Sequence, residues 1–392
     1  MRLHSVNAVT EMPTREILIQ RAHALGPLLT RELPAADARR DISAEVLDRM
    51  DEAGLLRLLR PAAWGGLEVD LATYFDVQNV IAEYCLSTAW IFGVINAQSY
   101  WLARFAHQAQ ADVWDVPGRW LVCSAFKPGG TATRVPGGFR LEGQWAFSSG
   151  SSHCQWALIG ALVPAEGGDG PPAMCLFLIP RADYEIVDTW NSFGLRATGS
   201  NDLKVAGAFV PDYRTWKPDP GLAMTDASPQ SGPALYRLPW GYVFGGSVCN
   251  LAIGAGRAAI AKFRDHLRTK LNTPALTPLA QQQATLALAR AQAEVEGADM
   301  MIKAHCTAFM QCADRGTAIA PETALLFRTQ MSGILRSIAA QVDQLMLATG
   351  GRGIEAEGPL TRIWLDLSAA RHHPVNNTDV THALLGRAML GG

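Results

Sequence analysis

The chain has 392 residues, of which 48% are hydrophobic and 18% are charged. This composition indicates a compact globular protein with substantial cores and argues against disorder. The 34 Lys and Arg residues nearly balance the 36 Asp and Glu residues, which leaves a formal net charge of −2. Composition therefore provides no electrostatic attraction to nucleic acid or to anionic membranes. The length allows two or three packed units.

The seven cysteines are scattered along the chain and contain no Cys-x-x-Cys pair. Neither a disulfide framework nor a zinc site is expected from such spacing, and reduced thiols in the cytoplasm are the simplest interpretation. The N-terminus lacks the apolar segment of a signal peptide, and no run approaches the roughly 18 apolar residues that span a bilayer. We expect a soluble, cytoplasmic protein without a bound metal.

Residues 1–118 are predicted to form an N-terminal helical domain. Apolar side chains recur at helical spacing over most of residues 14–105, as in amphipathic helices. A proline and two glycines interrupt this period at residues 60–66 and predict a loop between helices. Residues 72–84 resume the helical spacing. The segment 87–95 is apolar on all sides and predicts a buried helix.

Residues 119–236 have the pattern of a β domain. Short apolar or alternating runs at 120–126, 139–147, 156–163, 174–179 and 203–210 are separated by turns rich in Gly and Pro. This arrangement predicts a central antiparallel β-barrel or sandwich.

Residues 237–392 return to helical patterns, which are long and rich in Ala and Leu at 248–271, 278–315 and 321–349. Helices of this length with few breakers predict a C-terminal bundle. The fold class is therefore α+β, with a helical domain, a β domain and a helical bundle in chain order.

A candidate site begins where a predicted strand ends in Trp-Ala-Phe-Ser-Ser-Gly, residues 145–150. The adjacent hydroxyls of Ser148 and Ser149 are able to hydrogen-bond the edge of a heteroaromatic ring, and Gly150 permits close backbone approach. The alternative is a simple turn at the end of a strand, and this segment alone favours that alternative.

Five segments in chain order resemble the acyl-CoA dehydrogenases. They are residues 123–131, 143–150, 193–202, 250–257 and 350–353, the last with Asp366 downstream. Trp64-Gly-Gly also fits the N-terminal domain of that family. The resemblance implies an acyl-CoA dehydrogenase-like fold, with an N-terminal helical domain, a central antiparallel β-barrel or sandwich and a C-terminal four-helix bundle.

Asn376 stands where those dehydrogenases carry a catalytic glutamate. An amide cannot accept the α-proton of a thioester, so dehydrogenation is disfavoured. Two histidines, His372 and His373, stand just before Asn376. Together with the Ser-Ser-Gly segment, they resemble the oxygenase components of two-component (group D) flavin-dependent monooxygenases. Hydroxyphenylacetate and steroid-phenol hydroxylases and dibenzothiophene monooxygenase belong to that group.

This resemblance implies that a separate NAD(P)H-flavin reductase supplies reduced flavin, FMNH2 or FADH2, by diffusion. The flavin and O2 would form a C4a-hydroperoxyflavin that hydroxylates a small, aromatic substrate, in a homotetramer assembled through the bundle. Alternatives are N- or S-oxygenation on the same scaffold, an acyl-CoA dehydrogenase, and a catalytically silent flavin-fold binding subunit.

The resemblance also assigns residues. Ser148, assisted by Ser124, would hydrogen-bond the N5/O4 edge of the flavin. For the functional imidazole, His372 is the first choice and His373 the second, because the family places this imidazole two residues before Pro. Without the other motifs, a helix-capping role for both histidines would be preferred. The cofactor-binding candidates are Ser148, Ser149, Phe126, Thr198, Ser200, Arg257, Arg328, Gly350, Gly351 and Arg352. The substrate-binding candidates are Trp101, Gln98, Trp190, Phe193, His373 and Asn376.

Overall fold

The computed structural model describes residues 12–164, 170–218, 233–271, 277–358 and 360–391, without the side chains of Leu271, Arg352 and Ile354. The N-terminal part is helical, as predicted. Its helices are α1 (Arg15–Ala24), α2 (Gly26–Arg39), α3 (Ala44–Glu52), α4 (Leu71–Tyr84), α5 (Leu86–Leu102) and α6 (His107–Trp114).

Local sequence sets the starts of several of these helices. The side chains of Thr14, Ser43 and Asp70 accept the backbone N–H three residues on and so cap α1, α3 and α4, which satisfies N–H groups that the first helical turn leaves unpaired. Helix α5 is buried along its whole length, as its apolar sequence predicts. The predicted loop at residues 60–66 is confirmed and contains one short 3-10 turn, Ala62–Trp64.

The middle of the chain forms one eight-stranded sheet among the described residues. Its strands are β1 (Val122–Ala125), β2 (Gly130–Val135), β3 (Gly138–Ser148), β4 (Trp156–Val163), β5 (Ala173–Pro180), β6 (Glu185–Val187), β7 (Asn201–Pro211) and β8 (Thr215–Trp216). The order is β6-β7-β3-β2-β4-β5-β8, and β1 pairs with β4 off this path.

The predicted central β domain is confirmed, but its sheet is mixed and not antiparallel throughout. Strand β1 runs parallel to β4, with Val122 opposite Trp156, and Thr131 of β2 makes a parallel pair with Leu162 of β4. Parallel neighbours need a long connection. The antiparallel β2–β3 hairpin lies between β1 and β4 in the chain and supplies that length.

The C-terminal part is helical and includes the long bundle helices that the sequence predicts. Its helices are α7 (Trp240–Cys249), α8 (Leu251–Leu271), α9 (Pro278–Asp314), α10 (Pro321–Thr349), α11 (Thr361–Ala370) and α12 (Thr378–Met389). One stretch of the described residues, Trp240–Lys270, is long and apolar enough to cross a membrane. However, 94% of its most apolar window is buried inside the fold.

Buried side chains join the three parts of the fold at one region. Gln98 of α5 donates to the Ser124 hydroxyl of β1 at 2.9 Å. Asp366 of α11 accepts the Leu195 N–H of the segment before β7 at 2.6 Å. Buried polar groups keep their positions when they are paired. The predicted serines, the segment before β7 and the helices of the C-terminal part are therefore held against one another here.

Candidate active site

A row of buried hydroxyl groups lies between the end of β3 and the start of β7. The Thr198 and Ser200 hydroxyls are 2.7 Å apart, and those of Ser200 and Ser149 are also 2.7 Å apart. The Trp90 indole N–H of α5 donates to Ser149 at 3.1 Å and ends the row. The structure thus brings three of the predicted cofactor-binding residues into one hydrogen-bonded line.

Unusual backbone conformations shape the segment that carries Ser148 and Ser149. A register shift in β3 leaves Phe147 with a φ of 66°, and Gly150 follows with a φ of 68°. An aromatic residue rarely adopts positive φ, and such strain concentrates at functional sites. The Gly150 N–H donates to Thr198 O at 2.8 Å. This bond fixes the Ser148–Ser149 turn against the segment that carries Thr198 and Ser200.

Ser148 and Ser124, the two predicted catalytic serines, differ in their hydrogen bonding. The Ser148 hydroxyl is fully buried, and its hydrogen-bonding neighbour is the Cys123 thiol, a weak donor and acceptor. The Ser124 hydroxyl accepts from Gln98, and the other amide atom of Gln98, Oε1, has no partner there. Buried polar atoms are normally satisfied, so unpaired ones indicate a place where a ligand supplies the partner.

The turn after α11 separates the two histidines. Pro374 lacks a backbone N–H and restricts the residue before it to extended conformations, so the helix cannot continue past the pair. His373 accordingly has ψ of 131° and caps the short 3-10 turn Pro374–Asn376. His372 is exposed, with its ring 6.4 Å from that of Phe193.

His373 is half-buried and lies between α5 and α7. Its ring centroid is 5.5 Å from that of Trp90 and 6.1 Å from that of Phe244. Burial, followed by the positive charge of Arg328, lowers the pKa of His373 to about 4. The imidazole is therefore neutral at physiological pH. The Trp90 ring contacts His373, and its indole N–H donates to Ser149, so His373 lies close to the hydroxyl row. His372, in contrast, faces outward.

The Asn376 side chain has a structural role in the turn. Its amide nitrogen donates to Val248 O at 3.2 Å and to Ala370 O at 2.8 Å, and its Oδ1 accepts from the Cys249 thiol at 2.8 Å. These bonds fasten the turn to α7 and to the end of α11. Both N–H donors of the amide are used within the fold, so the predicted contact of Asn376 with substrate would depend on the second lone pair of Oδ1.

Arg328 of α10 is buried close to this turn, with an exposed fraction of 2%. Its Nη2 donates to Val375 O at 2.5 Å, whereas Nε and Nη1 have no hydrogen-bond partner among the described residues. Burial lowers the pKa of Arg328, yet a guanidinium remains charged at any physiological pH. A buried positive charge therefore lies beside His373.

Aromatic rings connect His373 with the predicted substrate-binding Trp101. Phe244 contacts Phe126 with centroids 5.3 Å apart, Phe126 contacts Trp101 at 5.5 Å, and Trp101 contacts Trp240 at 4.6 Å. The indole N–H groups of Trp101 and Trp240 are buried without partners among the described residues. This wall combines apolar faces with a few orienting polar atoms, as sites for small aromatic molecules do.

Several predicted residues lie apart from this cluster or are engaged elsewhere. Arg257 pairs with Asp299 at 3.0 Å between α8 and α9. Trp190 donates to Arg196 O at 3.0 Å, and Phe193 is 54% exposed. Gly350 and Gly351 follow α10 in a short 3-10 segment. The Arg352 side chain lies outside the part of the chain that the structure describes.

Two residues of the cluster, Trp90 and Phe244, were not predicted from the sequence. Both lie in helices whose residues are apolar on all sides, so periodicity does not distinguish a site residue from a core residue there. A cavity of about 560 Å³ also opens beside the turn. It is lined by Leu335, Arg336, Arg371, His372, His373, Pro374, Asn376, Asn377, Thr378 and Asp379.

Comparison with known proteins agrees with this architecture. Residues 27–115 match the family model for the acyl-CoA dehydrogenase N-terminal domain, and residues 247–378 match that for the C-terminal domain. The crystal structure of the 3-HSA hydroxylase from Rhodococcus sp. RHA1 superposes with a TM-score of 0.89. It is 29% identical, with 95% of this chain and 96% of that chain covered.

Two curated relatives define the class more narrowly. A pigment production hydroxylase of a Rhodococcus species is 30% identical over 384 residues, which cover 96% of this chain and 97% of the relative. The oxygenase component of the FADH2-dependent resorcinol hydroxylase of a Rhizobium species is 28% identical, with 95% and 94% covered. The fold and site define a flavin-dependent monooxygenase. The chain belongs to the acyl-CoA dehydrogenase-like family that contains these oxygenase components.

Proposed function

We propose that the chain is the oxygenase component of a two-component monooxygenase that uses reduced flavin and O2 to hydroxylate an aromatic carbon of a small substrate. The placement of the neutral His373 imidazole beside the hydroxyl row, with Trp90 in contact with both, carries this proposal. We infer that His373, and not the exposed His372, meets the reacting atoms. The rings of Trp90 and Phe244, which contact His373, exclude water from that place.

The residues present fit a flavin ring. The Ser148 hydroxyl is fully buried next to the Cys123 thiol, a weak hydrogen-bonding group that leaves the hydroxyl able to bind a ligand. The row of Ser149, Ser200 and Thr198 offers further donors and acceptors on one rigid turn. Such groups match the polar edge of a tricyclic heteroaromatic ring. Reduced flavin supplies the two electrons that let one atom of O2 enter the substrate while the other leaves as water.

The substrate class follows from the aromatic wall. Trp101, Phe126 and Phe244 offer flat apolar faces, and the unpaired atoms of Gln98 and Trp101 are able to bind a polar substituent. A phenol or a related ring with one or two polar groups is able to pack against the apolar faces and to hydrogen-bond the unpaired atoms. The FADH2-dependent resorcinol hydroxylase among the relatives hydroxylates a molecule of this kind.

The names of the relatives as oxygenase components imply a separate reductase component. We infer that reduced flavin reaches this chain from such a reductase by diffusion and that the chain forms a homotetramer through its C-terminal bundle. The cytoplasm fits both the burial of the most apolar helices and the seven free cysteines. Cell fractionation and measurement of molar mass in solution test these two inferences.

The function is tested by mixing the protein with chemically reduced FAD or FMN, 18O-labelled O2 and a panel of phenols. We expect one labelled oxygen atom in a product, and less H2O2 than free reduced flavin releases. Absence of label with all phenols, and H2O2 equal to that of free flavin, would instead indicate a silent binding subunit. Reduction of the bound oxidised flavin by an acyl-CoA would indicate a dehydrogenase.

Matched variants of the histidine pair test the assignment of His373. We expect His373→Ala to lower labelled product by about a hundredfold, in the range typical for loss of one donor that stabilises charge in the transition state. The affinity for reduced flavin should change far less. His372→Ala should behave like wild type, because its ring points outward; equal losses in both variants would contradict the assignment.

A further inference from the structure

Two consecutive hydrogen bonds join Arg328 to His373 through one residue of the turn. Arg328 Nη2 donates to Val375 O at 2.5 Å, and the Val375 N–H donates to His373 Nδ1 at 3.3 Å. A ring nitrogen that accepts a hydrogen bond carries no proton, so the proton of neutral His373 must be on Nε2. The same geometry opposes an imidazolium, since a protonated Nδ1 would point at the Val375 N–H.

We propose that Arg328 is a positioning residue that fixes His373 as a neutral imidazole with its proton on Nε2. Arg328 does so by holding the Val375 peptide through its carbonyl oxygen and by placing a positive charge near the ring. His373 then acts as a hydrogen-bond donor toward the reacting oxygen and not as a base. The identity of that oxygen rests on the proposed function, whereas the state of the ring is a property of the protein alone.

The groups around Arg328 leave its charge uncompensated. Its titratable neighbours on α7 are Tyr242 and Cys249; burial raises the pKa of the Tyr242 phenol well above its ordinary value and that of the Cys249 thiol to about 11. Both are therefore neutral at physiological pH. Among the described residues, Nη2 of Arg328 donates to a carbonyl oxygen and its Nε and Nη1 have no carboxylate partner.

Further charged groups near His373 line the cavity beside the turn. They are Arg336 of α10, Arg371 at the end of α11 and Asp379 of α12. Asp379, the one carboxylate in this lining, is exposed to solvent, where its charge is well screened. The adjacent ring of His372 also faces solvent. Within this lining, none of these groups offers a buried negative charge that would favour a protonated His373.

A fixed Nε2–H has a different chemical use from a base. It stabilises negative charge that develops on an oxygen atom during transfer, as donors of an oxyanion hole do. Because burial and Arg328 both oppose a second proton on the ring, the donor keeps one form over the physiological pH range. The function of the ring is then independent of small changes in pH, unlike that of an ordinary histidine.

The state of the ring is measurable without substrate or flavin. In protein labelled with 15N-histidine, long-range 1H–15N spectra distinguish the two tautomers from the imidazolium, and His373→Asn identifies the resonance. We expect wild-type His373 to show a protonated Nε2 throughout roughly pH 5 to 8. Protonation of Nδ1, or a titration midpoint near the ordinary value of about 6.5, would overturn the proposal.

Variants of Arg328 separate its charge from its hydrogen bond. We expect Arg328→Met to move the His373 titration midpoint up by about one pH unit and to give a mixture of tautomers. The midpoint in this variant should stay below about 6.5, because burial is the larger cause of the low pKa of His373. Arg328→Lys should keep the midpoint low but lose part of the tautomer preference. An Arg328→Met spectrum identical to wild type would also overturn the proposal.

Arg336→Met is the matched control, since Arg336 lies on the same helix and lines the cavity beside His373. It should leave the His373 spectrum unchanged. If Arg328→Met does not fold, the wild-type and Arg328→Lys spectra still decide both the tautomer and the role of the hydrogen bond. None of these spectra depends on whether the chain hydroxylates a substrate. Failure of this proposal about Arg328 is therefore distinguishable from failure of the proposed function.

A second experiment asks whether the ring is a donor or a base. His373→Gln keeps an N–H donor but has no basic nitrogen, and His373→Glu supplies a base without a donor at neutral pH. We expect the Gln variant to retain about a tenth of the labelled product and the Glu variant to retain about a hundredth. The reverse order would show that His373 works as a base.

Discussion

The Asn376 amide donates to two carbonyl oxygens and accepts from a thiol inside the turn after α11. A carboxylate at this position would place negative charge against Val248 O and Ala370 O. We expect Asn376→Asp to lower the free energy of unfolding by about 2–3 kcal/mol at neutral pH, because buried acceptors would face one another without donors. Urea unfolding measures this loss, which should shrink at acid pH as the carboxyl becomes protonated.

Asn377→Asp is the control for that substitution. Asn377 is exposed, and its side chain accepts the Asp379 N–H at the start of α12, where aspartate is as good a cap as asparagine. The free energy of unfolding of Asn377→Asp should stay within about 0.5 kcal/mol of wild type. A stable Asn376→Asp protein would mean that the amide hydrogen bonds do not hold the turn.

His373 also makes the stability of the chain depend on pH. Its pKa of about 4 in the folded protein lies below the value of about 6.5 in an unfolded chain. The unfolded state thus binds more protons between these values, and stability is complete above about pH 6.5 and declines as the pH falls toward 4. Burial also lowers the pKa of His305, so that histidine contributes with the same sign.

We expect the His373 contribution to be about 2 kcal/mol, after allowance for its partial exposure to solvent. Urea unfolding at a series of pH values from neutral to acid measures the slope. His373→Asn should flatten it, whereas His372→Asn should leave it unchanged, because the ring of His372 is exposed. An unchanged slope in His373→Asn would show that the ring is not held in its neutral form.

At the scale of elements, Asp366 connects α11 to the segment that carries Thr198 and Ser200. It is 2% exposed and accepts the Leu195 N–H at 2.6 Å and Arg362 Nε at 3.1 Å. Leu195 has a φ of 51°, a conformation that costs about 1–3 kcal/mol unless neighbours impose it. The carboxylate therefore supports a strained turn next to the hydroxyl row.

We expect Asp366→Ala to release this segment. Amide hydrogen exchange in residues 189–200 should accelerate by about tenfold or more, since a lost buried hydrogen bond allows local opening. Asp188→Ala removes an exposed partner of Arg40 near the same segment and should have little effect. Equal acceleration in both variants would show that the segment is loosened by any change nearby.

Sequence patterns predicted most elements because period and burial are local properties of the chain. The helix predicted at 321–349 is α10, Pro321–Thr349, and the strand predicted at 156–163 is β4, Trp156–Val163. Strand β2 was missed because its short run from Gly130 alternates weakly. The parallel pairing of β1 with β4 was missed because periodicity records which side chains are buried and not which strand lies alongside.

Part of the site was also predicted, where its residues belong to motifs within a short segment of the chain. Ser149 and Ser200 belong to recognisable local motifs, and the structure joins their hydroxyls at 2.7 Å. The choice between His372 and His373 depends on the backbone rotation that Pro374 imposes, and adjacency in the sequence contains no such information. The role of Arg328 depends on contacts across 47 positions of the chain, which no local pattern encodes.

At the scale of the whole molecule, α9 carries apolar side chains on an exposed face. Leu279 is 65% exposed, Leu286 46% and Met300 66%, and exposed Ala293 lies between them. These positions repeat every seven residues, which places them on one stripe of a helix as in coiled-coil contacts. Apolar side chains in such a stripe indicate a surface that packs against another chain.

This stripe gives the proposed homotetramer a direct test. The double change Leu286→Glu with Met300→Glu puts two charges on the stripe, and burying them between subunits is costly. We expect the molar mass measured by light scattering to fall to that of a smaller assembly at micromolar concentration. Ile17→Glu is the control, since Ile17 is 40% exposed on α1 outside the bundle. An unchanged mass in the double variant would show that subunits associate elsewhere.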